Sequence, residues 1–157
     1  MEIVLLTVGK TSIGFVEEGL KEYLGRLKRY VPFRLECIKD VKGAGQLPQE
    51  RQKELEGNQI QERLQGSDLV VLLDENGREY TSREFAGWME KQMATGRKRL
   101  VFVVGGPYGF SPEVYARADG KVSLSRMTFN HEMVRLFFVE QIYRAMTILR
   151  GEPYHHD

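Results

Sequence analysis

The stretch Leu100-Val101-Phe102-Val103-Val104-Gly105-Gly106-Pro107-Tyr108-Gly109-Phe110-Ser111-Pro112-Glu113 decides the fold. Its first five residues are all apolar, which suits a strand buried on both faces, as in a parallel sheet. Ser111, Pro112 and Glu113 supply an N-cap, a first-turn proline and a first-turn acid, so a short helix opens there and ends near Ala118. Between strand and helix lie three glycines in five residues. Glycine lets a backbone take positive φ and approach a ligand closely, and a tight turn alone needs only one. The spacing is not GxGxxG, and no GxxxxGK[ST] occurs in the chain, so NAD, FAD and P-loop nucleotides lose their best support.

The same grammar extends outward in both directions. Residues 69–73 form a second continuous apolar run, between Asp68 and Asp74. Asn76-Gly77 then predicts a turn. Thr81 with Glu84 forms a capping-box pattern and opens a helix through Phe85, Trp88, Met89 and Met93 to Gly96. Residues 3–8 read as an N-terminal strand, 13–30 as a helix stopped by Pro32, and 33–38 as another strand. Residues 42–46 read as a loop. Residues 48–64 read as a polar helix whose thin stripe of Leu55, Ile60 and Leu64 places it at the periphery. Residues 122–124 read as a last short strand. Alternating strands and helices predict one α/β domain over 1–157, with a mostly parallel sheet and helices on both faces. Ligands of such sheets bind beyond the carboxyl ends of strands, here after Leu73, Val104 and Leu124.

The final helix, over 131–150, carries twelve apolar residues in twenty, spread almost all round its wheel. One sheet can cover only one side of it, so a second subunit is expected on the other, the alternative being a central helix roofed by the peripheral ones. With 157 residues, 41% apolar and 29% charged, the chain has the balance of a soluble globular protein. No apolar run approaches the roughly 20 residues of a membrane span. The N-terminus lacks a signal-peptide layout, and the one cysteine, Cys37, forms no internal disulfide, which together predict a cytoplasmic protein. Cys37 is read as a small buried hydrophobe. Net charge is +1. That excludes binding of nucleic acid by bulk positive charge, though not by a local patch. The basic clusters are Lys21, Arg26, Lys28 and Arg29, and Arg97, Lys98 and Arg99, each equally readable as a solvated helix face or end.

Several residues could carry chemistry. Ser125, Thr128 and Asn130 precede the last helix and can satisfy backbone groups or cap it. His131 stands at its start, where an imidazole could accept a proton or orient a substrate group. Glu140 lies in the same helix, with a structural ion pair to Arg144 as the duller reading. In the tail, Gly151 and Pro153 end the helix, and Tyr154 is able to dock. His155, His156 and Asp157, adjacent on a free end, make a poor metal site, so no metal is expected.

Three motifs taken together, VVLLDENG, then FVVGGPYGFS, then SLSRMTFNHEMVR continuing to FVEQIYRAMTILRGEPYHH, resemble the RlmH family of SPOUT methyltransferases over essentially the whole chain. The resemblance implies an α/β fold with a C-terminal trefoil knot and a homodimer. It implies methylation of N3 of a pseudouridine in large-subunit ribosomal RNA, on the assembled ribosome, with S-adenosylmethionine. The implied cofactor residues are Leu73, Gly105, Gly106, Gly109 and the run Leu124, Ser125, Arg126, Met127, Thr128 and Phe129. For such a reaction, His131, Glu140, Tyr154 and His155 are the catalytic candidates among the residues. Where relatives carry a basic residue after Tyr-His, this chain has His156, and histidine is mostly uncharged at neutral pH. Two other classes stay open: a ribosome-associated protein without catalysis, and a binder of a phosphate-bearing ligand such as a flavin nucleotide.

Overall fold

Five strands, β1 (Glu2–Val8), β2 (Phe33–Ile38), β3 (Leu69–Glu79), β4 (Arg99–Val104) and β5 (Gly120–Ser123), form one sheet in the order β2-β1-β4-β3-β5. Every pair is parallel in the computed structural model, which describes residues 1–156. The helices are α1 (Gly14–Leu27), α2 (Gln49–Glu62), α3 (Ser82–Met93), α4 (Pro112–Arg117) and α5 (Met133–Leu149). A single 3-10 turn, Ala44–Gln46, interrupts the loop expected over 42–46.

The apolar runs are continuous because successive side chains feed two separate cores. Ile3, Leu5, Leu100 and Phe102 point to one face, where α1, α3 and α5 bring Val16, Leu20, Phe85, Met89, Phe138 and Ile142. Val4, Leu6, Val70, Leu72, Val101 and Val103 point to the other, covered by Ile60 of α2 and Val114 of α4. The Phe102 and Phe138 rings meet at 4.6 Å in the middle of the first core. Thr81 and Glu84 form the capping box, and the Ser111 side chain accepts from the Val114 N–H, as their spacing predicted.

The Asn76-Gly77 turn is not formed. β3 continues through these residues to Glu79, but its pairing with β5 slips: Leu73 and Arg78 both pair with Val122, so residues 74–77 bulge out. A Cβ on Gly77 would lie 2.7 Å from the backbone of Lys121 and Val122. The glycine therefore serves close backbone approach at a bulge, a role with the same sequence signal as a turn.

α5 packs on α1 and α3 with Phe138, Val139, Ile142, Tyr143, Ala145 and Met146 buried. Its apolar residues exceed what that face needs. Phe137 stays 43% exposed and Phe15, on α1, 65% exposed. Of the basic residues, Arg99 is half of an ion pair with buried Asp68 at 3.0 Å, and so belongs to the fold. Arg26 pairs with Glu22 one helical turn away. Cys37 is only half-buried, because β2 is an edge strand; it accepts a hydrogen bond from the Thr7 hydroxyl at 3.3 Å.

Replacing Gly77 by alanine forces the β3 and β5 backbones apart. The expected loss is about 1–3 kcal/mol, the range of overpacked sites. Urea unfolding measures it, and an unchanged midpoint would show that the approach is not tight.

Candidate functional site

The carboxyl ends of β4 and β5, with β3 just after Leu73, where its pairing with β4 ends, open into a cavity of about 550 Å³. Leu73, Gly105, Gly106, Gly109, Leu124, Ser125, Met127, Thr128, Phe129 and His131 all line it. Arg126 does not. Its side chain is 86% exposed and reaches toward Glu79 at 3.6 Å, because its neighbours turn inward and leave it outward. The lining also includes Asp74, Glu75, Tyr108 and Tyr115, which were not among the site residues expected by name. The two acids directly follow Leu73, in the place to which the strand-end rule pointed. Tyr115 needed the fold: its hydroxyl donates to Asp74 across 41 positions of chain. Burial, then that hydrogen bond, pushes the Tyr115 phenol up to about 12.

Each glycine of the loop has its own reason. Gly109 has φ +82°, and its N–H donates to the Gly106 carbonyl at 3.2 Å, closing the loop. A Cβ on Gly105 would meet the Phe110 ring at 3.0 Å, and one on Gly106 would meet Glu56 Oε1 at 2.5 Å. At two of the three, a side chain would thus crowd what lies behind the loop. In the next segment, Ser125 Oγ accepts from the Met127 N–H at 2.9 Å. Asn130 Oδ1 accepts from the N–H groups of Glu132 and Met133 and caps α5.

His131 sits at the cavity wall with its side chain 56% exposed. The residues after it are anchored deeply. Arg135, 1% exposed, donates to the carbonyls of Val8, Gly9 and His131 and to Thr11 Oγ1. Glu132 accepts from the Ser12 N–H and hydroxyl, each at 2.7 Å, and from the Ile13 N–H at 2.9 Å. These bonds, the Ile13 N–H first, hold its carboxyl at about 2, well below the ordinary 4.5.

Glu140, Tyr154 and His155 gather elsewhere. None of them lines the cavity, and Glu140 lies about 10 Å along α5 from its start. Glu140 is bound by Arg144, the i, i+4 pair that the spacing allowed. Tyr154 donates to Glu140 at 2.9 Å and meets the Tyr23 hydroxyl at 3.0 Å. Arg144 contacts His155 Nδ1 at 3.1 Å. Burial, then the bonds to Tyr23 and Glu140, raises the Tyr154 pKa far above that of a free phenol. The tail is therefore docked, while one chain divides the four catalytic candidates between two places. Among the described residues no cluster of His, Cys, Asp and Glu is placed to hold a metal ion; Asp157, part of the tail considered above, lies outside them.

With this geometry, similarity to known proteins becomes specific. Residues 1–155 match the family described as "Predicted SPOUT methyltransferase". The chain belongs to the SPOUT methyltransferase family. It is 55% identical to the ribosomal RNA large subunit methyltransferase H of Parabacteroides distasonis over 157 residues, covering all of both chains. The same identity and coverage hold for the protein of that name from Porphyromonas gingivalis. The Christiangramia forsetii protein of that name is 54% identical over 156 residues, 99% of each chain.

Because Glu132 titrates lower when folded, it contributes stability above its ordinary pKa, and this is lost as pH falls toward about 2. Glu132→Gln should therefore lower the melting temperature at neutral pH, and the gap to wild type should narrow as pH falls through that window. Thermal unfolding across the window checks this; a gap independent of pH would contradict it.

Proposed function

We propose that this chain is an S-adenosylmethionine-dependent methyltransferase that modifies N3 of a pseudouridine in large-subunit ribosomal RNA. It acts as a cytoplasmic homodimer on the assembled ribosome, as one domain with the trefoil knot of its family. The observation that carries the reading is the cavity at three adjacent strand ends of a SPOUT chain, bounded by a glycine loop and the 124–129 segment.

The residues present fit the cofactor. About 550 Å³ lies within the range of small-molecule sites. Gly105–Gly109 and 124–128 would offer backbone donors and acceptors to an adenine and ribose. Leu73, Val104 and Leu124 would offer apolar contact. Asp74 and Glu75 bring negative charge to the lining, the sign that suits a sulfonium and an ammonium. S-adenosylmethionine, when bound, supplies an electrophilic methyl group.

The chain's own contribution is mainly positioning, which is worth up to roughly 7–11 kcal/mol of a barrier. N3 must also lose a proton. His131, at the cavity wall, is the first candidate to accept it. Glu140, Tyr154 and His155 form the second group, with Arg144 holding Glu140 and His155. Phe15 and Phe137 are exposed and would be available to a second copy; in that dimer the tail cluster of one chain is assigned to the cavity of the other. A net charge of +1 fits a substrate presented by the ribosome, since shape recognition then replaces a broad basic surface.

Methyl transfer from labelled S-adenosylmethionine to intact ribosomes tests the proposal. The expected label maps to N3 of one pseudouridine of the large-subunit RNA; ribosomes that stay unlabelled would overturn it. His131→Ala should bind cofactor normally and lose about 10²-fold in kcat, the low end for a general base. Wild-type turnover by that variant would remove His131 from the mechanism. Co-expression of the inactive variants His131→Ala and His155→Ala should restore about a quarter of the activity. Half of randomly paired isologous dimers are mixed, and each mixed dimer has one intact site. No recovery would mean that the two groups act within one chain.

A further inference from the structure

α2, the polar helix expected at the periphery, carries two buried polar side chains. Gln52 is 7% exposed and Glu56 5%. The Glu56 carboxylate lies directly behind the glycine loop: a Cβ on Gly106 would fall 2.5 Å from its Oε1 and 2.8 Å from its Oε2. Gln52 Nε2 holds it from one turn earlier, donating to Oε2 at 3.1 Å. The next residue, Gly57, faces the start of α4, just beyond the loop. A Cβ there would meet Ser111 Oγ at 2.5 Å and Val114 Cγ2 at 3.2 Å. Ser111 is the cap of α4. One turn of α2 thus packs against both the loop and the helix that follows it.

No ion pair ties Glu56 to a cation among the described residues, and the charged group that acts on it is another acid, Asp40. Burial pushes its pKa above the ordinary carboxylate value, Gln52 opposes, and Asp40 adds to the rise. A buried carboxyl without a cation destabilises a fold relative to an apolar side chain of similar volume. Its place behind Gly106 gives it a use.

We infer that Glu56 is a positioning residue for the cofactor cavity: packed behind Gly106 and held by Gln52, its carboxyl group fixes the shape of the 105–109 loop. The inference rests on the reading of that cavity as the S-adenosylmethionine site. It assigns α2 a role as a brace and makes the volume and hydrogen bonding of Glu56 matter, with its charge secondary.

The test is calorimetric titration of S-adenosylhomocysteine into the full-length wild type, Glu56→Ala, Glu56→Gln, Gly106→Ala and the Glu56→Ala/Gly106→Ala pair. KM and kcat for S-adenosylmethionine on ribosomes are measured alongside. Glu56→Ala should weaken binding about tenfold, equivalent to about 1.4 kcal/mol, and raise KM in step while kcat at saturation holds. Glu56→Gln should restore affinity to within about threefold. The Gly106→Ala methyl must displace the carboxylate, so it should weaken binding, and adding Glu56→Ala should then cost nothing more. Glu56→Ala within twofold of wild type, or Glu56→Gln as weak as Glu56→Ala, would overturn the inference. Should Glu56→Ala not fold, the other two single variants decide. Retained binding by Glu56→Gln with loss in Gly106→Ala supports the brace, and wild-type affinity in Gly106→Ala refutes it. A wild type that binds no S-adenosylhomocysteine refutes the cofactor reading itself, an outcome distinct from all of these.

Discussion

The buried guanidinium of Arg135 is the constraint on which the site's geometry depends. It sits on α5, near the end of the chain, and donates to the carbonyls of Val8 and Gly9 at the end of the first strand. Those carbonyls lie where β1 leaves the sheet ladder, and buried backbone acceptors need partners. Glu132 answers from the same helix start by accepting from Ser12 and Ile13. One short segment of α5 therefore satisfies both the carbonyls and the N–H groups of the β1–α1 connection. A buried charge with this many partners is costly to strip of any one of them. The reward is a fixed starting point for α5, and with it a fixed place for His131 and the 124–130 segment on the cavity wall.

The sheet supplies the rest of the frame. β3, β4 and β5 are neighbours or next neighbours in the order β2-β1-β4-β3-β5, so their carboxyl ends converge on one edge. Both faces of the sheet are roofed, so the strands that lead to the cavity are buried on both sides. The loops that leave them are held from behind by specific groups: Phe110 under Gly105, Glu56 under Gly106, Ser123 and Ser125 within the next turn. The cavity is thus shaped by packing beneath its lining as much as by the lining residues.

Much of this was legible in the sequence. The apolar runs at 69–73 and 100–104 announced strands buried on both sides, and the caps Thr81, Ser111 and Asn130 do what their spacing implied. The strand-end rule, with the resemblance to RlmH proteins, pointed to the cavity. What escaped has physical causes. Asn76-Gly77 has the composition of a turn, yet Gly77 answers to the backbone of β5, a neighbour 45 residues away in sequence. α2 looked peripheral because its apolar stripe is thin, and nothing local marks Glu56 as buried. Arg126 shares a segment with the lining residues, but only three-dimensional structure shows which side chains turn outward. The tail cluster likewise joins Tyr23 to Tyr154 across 131 positions, a contact no local pattern encodes.

In the proposed function, the cavity at the strand ends is an S-adenosylmethionine site. Thermal unfolding of the wild type with S-adenosylhomocysteine tests it most directly, with FMN and ATP as controls. At about 100 Kd of ligand, the native state should gain about 2.7 kcal/mol. For a chain of this size that is a rise of roughly 5–10 °C, absent with the controls. A melting temperature unmoved by S-adenosylhomocysteine, or raised equally by FMN or ATP, would contradict the account.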